Sequence, residues 1–575
     1  MVLSRMRGAR VIRKEDPRLI TGSATYVDDV RVPGTLHMVF ARSQHPHARI
    51  RSIRTDQASQ MPGVVAIYVG GKANASGNQH VRVLRDIVAP SEEPAEEVEA
   101  PDIRETEEAE HPEEAREPEQ FWMAIDTVRS VGIAVAGVVA ETEEQARDAA
   151  EAIEIDYEPL PAVVDVEAAM KDGAPQLYPQ FANNICHHYD HTAGDADAAF
   201  KAAPITVKER LINQRVAGVP MEPRGVLAMP DPMINGLTFW TSTQAQFWNR
   251  RDVAQSLNIP ESNVRTIAPQ VGGGFGVKIG AYPEDYILSA VARDLGRPVK
   301  WIETRSESLV VTHQGRAQVA DVEVAAEQNG KITGYRLNVI QDQGFYPKDV
   351  SLSTLTGLMA VGCYDIKNID VHAIGVLTNT TEIGAYRGAG RPEAAFYIER
   401  VVDLVADACK LDPAEVRRVN FIQPNQFPYA TVTGAKYDSG DYEKALDKAL
   451  QNVNYKQLRQ EQADARKQGR YIGIGLSSYV EICGFGPFDS AIVRVERTGA
   501  VTVYSGILPQ GQGQETAFAQ IVADDLGVPF DSISVRFGDT ASSPQGQGTM
   551  GSRGLVVGGS AVVGAAAQVR EKAKR

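Results

Sequence analysis

Five glycine-rich stretches hold the residues of this chain whose types and order could do chemistry. The first is Gln270-Val271-Gly272-Gly273-Gly274-Phe275-Gly276-Val277-Lys278, with four glycines in five positions. Such a run can take φ > 0 and turn bare backbone N–H groups toward an oxyanion or a flat cofactor, with one Phe to stack on what is bound. It lacks the Lys-Ser/Thr ending of a phosphate-binding P-loop, and also the spacing and following acidic residue of a dinucleotide fingerprint. The other four are Met221-Glu222-Pro223-Arg224-Gly225, Ala385-Tyr386-Arg387-Gly388-Ala389-Gly390-Arg391-Pro392, Pro509-Gln510-Gly511-Gln512-Gly513-Gln514-Glu515-Thr516 and Gly546-Gln547-Gly548-Thr549-Met550-Gly551-Ser552-Arg553-Gly554. Each sets backbone beside amide, hydroxyl or guanidinium donors. One such cluster reads as a turn. Five in one chain offer the many hydrogen bonds demanded by a large polar cofactor with a phosphate and several ring heteroatoms.

The elements that must hold these loops follow from hydrophobic period. Residues 34–42, 63–69 and 132–140 read as strands, and Thr142 caps a helix running to 150, followed by an alternating strand at 153–157. Residues 159–179 read as a linker. A second unit begins near 207: strand 240–246, helix 252–257 and strand Val264–Ile267 lead into the first glycine run, and an apolar helix at 286–293 follows it. Strands at 319–324 and 334–341 come next, then an amphipathic helix at 397–409 and a charged helical stretch at 443–468. A third unit starts near 473, with strands at 490–496 and 500–504, and ends in a helix over Ser560–Lys574. The fold class is α+β.

At 575 residues the chain should hold roughly two to four domains. Its net charge of −15 is local: residues 91–119 hold 14 acidic side chains against Arg104 and Arg116, so this segment alone contributes −12. Rich in proline and almost without apolar side chains, it reads as a solvated, disordered insertion. The balanced remainder gives no support for nucleic-acid binding. No apolar run is long enough to span a bilayer and the N-terminus has no secretory h-region, so the expected location is cytoplasmic. Cys186, Cys363, Cys409 and Cys483 form no C-x-x-C pair, which argues against an iron–sulfur or zinc site; buried thiols are expected.

The ordered motifs resemble the large, molybdenum-binding subunit of the xanthine dehydrogenase/aldehyde oxidase/aerobic carbon monoxide dehydrogenase family of molybdenum hydroxylases. The resemblance covers nearly the whole chain, from Arg18-Leu19-Ile20-Thr21-Gly22 and Tyr26-Val27-Asp28-Asp29 onward, and Ala385 to Arg391 look most like form II, carbon-monoxide-dehydrogenase-like subunits. It implies an α/β hammerhead domain (1–165, carrying the insertion 91–119) followed by two large molybdopterin-binding α/β domains, 166–440 and an incomplete 441–575. The implied cofactor is molybdopterin cytosine dinucleotide. The implied partners are a 2Fe–2S small subunit and an FAD-binding medium subunit in a dimer of heterotrimers, with no Fe–S cluster or FAD in this chain and a small-molecule substrate. Residue by residue, Gln244 matches the glutamine whose amide faces molybdenum. Phe275 and Gly276 match positions beside the metal and Arg387 the arginine whose backbone lies by it, with Gly274 and Gly388 implied as cofactor-binding neighbours. Gln512 with Gly513 match the pterin-bonding loop, and Gly551, Ser552 and Arg553 the second cofactor loop. Gln244, Phe275, Arg387 and Gly551 thus lie in the molybdenum vicinity without supplying a side-chain ligand, since the cofactor's dithiolene does so.

Three departures from the family bear on chemistry. Gly388 stands where form I carbon monoxide dehydrogenases carry a copper-binding Cys, so no copper is expected. Ile279 and Ala389 replace the acidic and aromatic residues of the purine-oxidising branch, which argues against purine. The family's base, a glutamate in a Gly-Val-Gly-Glu-like motif some two hundred residues past the second cofactor loop, lies beyond Arg575, and Glu222, Glu382 and Glu515 do not match it. The catalytic residue is therefore unassigned, and the chain reads as C-terminally truncated. Two readings compete: a hydroxylase large subunit that oxidises an aldehyde, N-heterocycle or similar molecule with water as oxygen source, or a non-catalytic cofactor-binding or assembly component.

Overall fold

The computed structural model describes residues 6–71, 80–87, 118 and 122–575. Apart from Pro118, the acidic insertion lies outside the described residues.

Among these residues the largest sheet has eight strands, in the order Val264–Ile267, Gly236–Thr241, Gly225–Asp231, Val299–Ile302, Leu36–Arg42, Ala134–Ala140, Val64–Val69 and Val81–Val83. Its middle is a junction between the N-terminal unit and the second one. Leu36–Arg42 pairs in parallel with Val299–Ile302, Leu36 opposite Val299, and antiparallel with Ala134–Ala140. Every residue of Ala134–Ala140 is buried, the continuous apolar run of a strand covered on both faces. The helix Glu143–Glu151 packs on it, opened by a capping box in which Thr142 accepts from the Gln145 N–H and the Gln145 side chain accepts from the Thr142 N–H.

A five-stranded sheet follows, in the order Ile185–Ala193, Ile369–Leu377, Ile332–Gly344, Gln318–Ala326 and Ile205–Asn213. Alternate residues such as Val322, Val324, Leu337 and Val371 meet Tyr397, Val401 and Val405 of the helix Arg391–Cys409 in its core. The C-terminal unit is a three-stranded sheet, Ala491–Val495, Val501–Ser505 and Ile533–Arg536, packed with the helices Gln514–Leu526 and Ser560–Lys574.

Three sequence expectations need correction. Residues 159–179 are not a loose linker: Val163, Val166, Ala169 and Leu177 are buried against Val376 and Leu377 of the five-stranded sheet. The strand expected at 240–246 ends at Thr241, and a helix begins at Gln246. The change of direction is local, because the Thr243 hydroxyl donates to Asn249 Oδ1 and accepts from the Ala245 N–H. Of the cysteines only Cys363 is buried, while Cys186 and Cys409 are half-buried and Cys483 is exposed.

Candidate functional site

Four of the five glycine-rich stretches line one cavity of about 610 Å3, together with residues of the helix Gln246–Ser256, the helix Ser351–Leu358 and the loop at 485–486. Gln244 is the hub. Its backbone N–H donates to the Lys278 carbonyl (2.9 Å), its Oε1 accepts from the Gly276 N–H (2.8 Å), and its Nε2 donates to the Thr549 carbonyl (2.7 Å). One side chain thus ties the first glycine run to the last, which fixes the orientation of its amide. Phe275 has φ 57, a left-handed conformation that costs a non-glycine residue about 1–3 kcal/mol, and its carbonyl accepts from the Arg387 N–H (2.8 Å). Gly276 cannot be replaced without movement, since a Cβ there would lie 2.3 Å from the Ala385 carbonyl oxygen. The first and third stretches therefore meet backbone to backbone.

Arg387 is held by its main chain, and its side chain is exposed. Arg316 supplies the support: its Nη1 donates to the Tyr386 carbonyl (2.9 Å) and its Nη2 to the Arg387 carbonyl (2.7 Å). His313 adds a second prop. Its Nε2–H donates to the Ala385 carbonyl (3.0 Å), its Nδ1 lies 2.7 Å from the Tyr282 hydroxyl, and burial followed by the nearby Lys348 ammonium pushes its pKa down to about 3. A neutral imidazole can hold that tautomer across ordinary pH. Sequence reading missed Arg316 and His313, because both act from another segment and neither belongs to a motif.

The Met221–Gly225 stretch does not line the cavity but stands behind it. Glu222 Oε2 accepts from the Gly272 N–H (2.7 Å), the Ser242 hydroxyl (2.9 Å) and the Lys278 ammonium (3.0 Å). It therefore clamps both ends of the first glycine run. Burial lowers the Lys278 pKa, and Glu222 opposes that shift. Arg224 pairs with Glu284 (2.9 Å) and Glu303 (2.7 Å) in the buried layer below.

On the far wall, Gln512 is exposed and pairs with Gln510 (2.8 Å from Nε2 to Oε1). Gly513 is the N-cap of the helix Gln514–Leu526 beside Glu15 and Arg13, and it does not line the cavity. Gly551 (φ 51) and Ser552 (φ 55) are successive left-handed residues. Arg553 is fully buried and spends its donors on the protein: Nε on the Phe485 carbonyl, Nη1 on Asp489 and the Gly548 carbonyl, Nη2 on the Phe488 carbonyl. It braces the Gly546–Gly554 loop. The sequence-predicted residues Gln244, Gly274, Phe275, Gly276, Arg387, Gly388, Gln512, Gly551, Ser552 and Arg553 all line the cavity.

The donor set suits a polyheterocyclic phosphate-bearing cofactor: backbone N–H groups, carboxamides and a helix N-terminus beside its rim, with Gly276 admitting close approach. Among the described residues the wall carries no cluster of His, Cys and carboxylates that could hold a metal ion.

Comparison with known proteins agrees with this arrangement. The family description "Molybdopterin cofactor-binding domain" matches residues 177–421 and again residues 448–575, and "Aldehyde oxidase and xanthine dehydrogenase, a/b hammerhead domain" matches 21–94 and 95–161. The carbon monoxide dehydrogenase large chain of Hydrogenophaga pseudoflava is 37% identical over 608 aligned positions, covering 100% of this chain and 72% of its own. The nicotine 6-hydroxylase large subunit of Paenarthrobacter nicotinovorans is 34% identical, covering 98% and 68%. Quinoline 2-oxidoreductase from Pseudomonas putida 86 superposes with a TM-score of 0.88 at 33% identity, covering 98% of this chain and 70% of that one. With the loops, the matched domains and these relatives in agreement, the chain belongs to the molybdopterin-binding large subunits of the xanthine dehydrogenase/carbon monoxide dehydrogenase family.

Proposed function

We propose that this chain is the molybdenum-cofactor-binding large subunit of a hydroxylase that oxidises an N-heterocycle, an aldehyde or a similar small molecule, with water as the oxygen source. The observation that carries this reading is the convergence of four glycine-rich loops and Gln244 on one cavity. Bound there, molybdopterin cytosine dinucleotide supplies the two-electron redox chemistry. Gln244 keeps one amide N–H for a polar group in the cavity after donating the other to Thr549. The Gly276 and Arg387 loops form the adjoining backbone wall. Trp248, Ile279, Leu352 and Leu355 add an apolar wall that suits a flat heterocycle or the body of an aldehyde. Two relatives named for nicotine and quinoline point the same way.

Gly388 supports a site without copper. It has φ 97, and a Cβ at this position would lie 2.3 Å from Pro392 Cγ, so the loop as folded has no room for a cysteine thiol. Relatives named as a complex subunit and a large subunit support partner subunits for this chain. The partners proposed are an iron–sulfur small subunit and an FAD-binding medium subunit, with the cytoplasm as the proposed location.

Base catalysis belongs, in this proposal, to a glutamate outside residues 1–575. Among the described residues the one carboxylate lining the cavity is Asp349, bonded to Ser351, while the nearby Glu222, Glu393 and Glu481 pair with Lys278, Arg316 and Arg391. That observation also favours the second reading, a cofactor-binding component without catalysis.

The test is metal and nucleotide analysis of the assembled complex with turnover of quinoline or an aldehyde by a dye acceptor. Molybdenum and CMP at about one each per chain are expected. Residues 1–575 should turn over about 10²–10⁴-fold more slowly than an assembly supplied with the family's glutamate-bearing segment. Gln244→Ala should reduce turnover by about 10²-fold with molybdenum retained. Stoichiometric copper, or absence of molybdenum, overturns the first reading; molybdenum without turnover in any assembly favours the second.

A further inference from the structure

Asp349 is the one carboxylate lining the cofactor cavity among the described residues, and none of those residues forms an ion pair with it. It stands just ahead of the helix Ser351–Leu358, where its Oδ1 accepts from the Ser351 N–H (3.2 Å) and the Ser351 hydroxyl (2.5 Å). These are the local bonds of a capping side chain, and they occupy one oxygen. The other, Oδ2, has no hydrogen-bond partner among the described residues. Burial raises the Asp349 pKa, while the Ser351 hydroxyl and N–H and then the Lys348 ammonium oppose that shift. A carboxylate taken from water without a counter-charge is costly.

The cations of the neighbourhood do not supply one. Lys348 Nζ lies 3.5 Å from Glu382 and 4.0 Å from the centre of the Tyr282 ring, and neither partner lines this cavity. Of the three arginines that do, Arg391 is bonded to Glu481 (2.8 Å) and Arg553 to Asp489 (2.7 Å), while the exposed Arg387 forms no ion pair among the described residues. The rest of this wall is apolar. The helix Ser351–Leu358 contributes Leu352 and Leu355, and Ile279 follows the first glycine run onto it. A lone carboxylate on a wall of this kind takes its counter-charge from whatever the cavity binds.

We propose that Asp349 is a specificity-determining residue that pairs with a protonated amine of the substrate, so that the compounds this cavity prefers are N-heterocycles carrying an ammonium side chain. The inference rests on the proposed function and deepens it by narrowing the substrate class. The ring lies on the apolar wall, and an ammonium N–H donates to Asp349 Oδ2 in a charge-assisted hydrogen bond. A neutral heterocycle of the same size fills the same space but leaves the carboxylate unpaired, and a site built around a polar partner discriminates against a ligand that lacks it. Anionic compounds are disfavoured more strongly, because a like charge beside Asp349 adds repulsion to the missing bond.

The test uses the molybdenum-loaded assembled complex and two probes of equal size: 3-(aminomethyl)pyridine, whose side-chain amine is protonated at neutral pH, and the uncharged 3-ethylpyridine. Calorimetric titration gives Kd for each, and turnover with a dye acceptor gives kcat and KM. The ammonium probe should bind about 10–100-fold tighter than the neutral one. Asp349→Asn keeps an acceptor for the Ser351 N–H while removing the charge, and it should bring that ratio to about one by weakening the ammonium probe. Asp349→Glu should restore part of the preference. Equal binding of the two probes by the wild type, or a ratio unchanged in Asp349→Asn, overturns the proposal. So does equal weakening of both probes with a lower melting temperature, which would make Asp349 a helix cap alone, and so does a fall in kcat for both at a constant ratio, which would make it a base. A complex that holds molybdenum and oxidises 3-ethylpyridine with no Asp349-dependent preference refutes the assignment and spares the proposed function. An Asp349-dependent preference in binding, with turnover of neither probe, does the reverse.

Discussion

Gly388 is the residue that carries the proposed absence of copper. Its φ of 97 and the 2.3 Å approach of Pro392 to a would-be Cβ mean that Gly388→Cys must both strain the backbone and displace the start of the helix Arg391–Cys409. The expected cost is about 1–3 kcal/mol of stability, read as a lower urea midpoint, with no stoichiometric copper gained on incubation with Cu(I). Unchanged stability together with bound copper would show that the loop can open and that the glycine does not exclude a thiol. The glycine itself was legible in the sequence; the proline that crowds it was only a neighbour in the string, and its placement over the Cβ direction came from the folded loop.

Among the elements, the helix Pro283–Leu295 joins the N-terminal unit to the first cofactor-binding one through Glu284. Its carboxylate accepts from Arg42 of the strand Leu36–Arg42 (3.0 Å) and pairs with Arg224 (2.9 Å). Burial pushes the Glu284 pKa up, but the two guanidiniums, Arg224 first, outweigh it and bring the value down to about 2. A carboxylate depressed in the folded state contributes stability that is full above its unfolded value near 4.5 and is lost as pH falls toward 2; the size here is about 3 kcal/mol. The adjacent Asp285, pushed up to about 6 by burial, acts in the opposite sense: its penalty is full above pH 6 and is relieved by about 3.8. Wild-type stability should therefore hold or rise slightly from pH 6 to 4 and fall steeply below. Glu284→Gln should be less stable at neutral pH and should flatten the acid limb, and thermal melts across pH 7 to 3 measure both. An acid limb of the same slope in the variant would remove Glu284 from the account.

The whole molecule is knit more closely than a string of three domains suggests. The eight-stranded sheet takes strands from both sides of residue 165, and its central parallel pair joins Leu36–Arg42 to Val299–Ile302. The N-terminal strap returns to the C-terminal unit: the Met6 N–H donates to Asp524 (2.9 Å), the Lys14 N–H to the Thr516 hydroxyl (2.8 Å), that hydroxyl to Glu15 (2.6 Å), and Arg18 pairs with Glu515. Residues that open the chain thereby hold the Pro509–Thr516 stretch at the cavity's rim. Calorimetry should show the hammerhead and the first cofactor-binding unit unfolding in one transition, and residues 1–165 expressed alone should lack a cooperative melt. Two resolved transitions, or a stable isolated 1–165, would show that the shared sheet does not couple them.

The sequence by itself determined the local matters. A continuous apolar run placed the strand Ala134–Ala140 and period 3.6 the helix Ser560–Lys574 within a residue or two, and four of the glycine-rich stretches marked loops that line the cavity, because backbone close approach requires glycine wherever it occurs in the chain. Tertiary structure alone decided that Gln244 ties loops 305 residues apart, that Arg316 and His313 hold the Arg387 loop, and that residues 159–179 are core and not linker. It also decided that Arg553 braces its loop, with its donors spent on protein groups. The physical reason is the same in each case. Local conformational preference is carried by neighbouring residues, whereas the partner of a buried guanidinium, imidazole or strand edge is chosen by hydrogen-bond satisfaction between segments whose approach no short window of sequence contains.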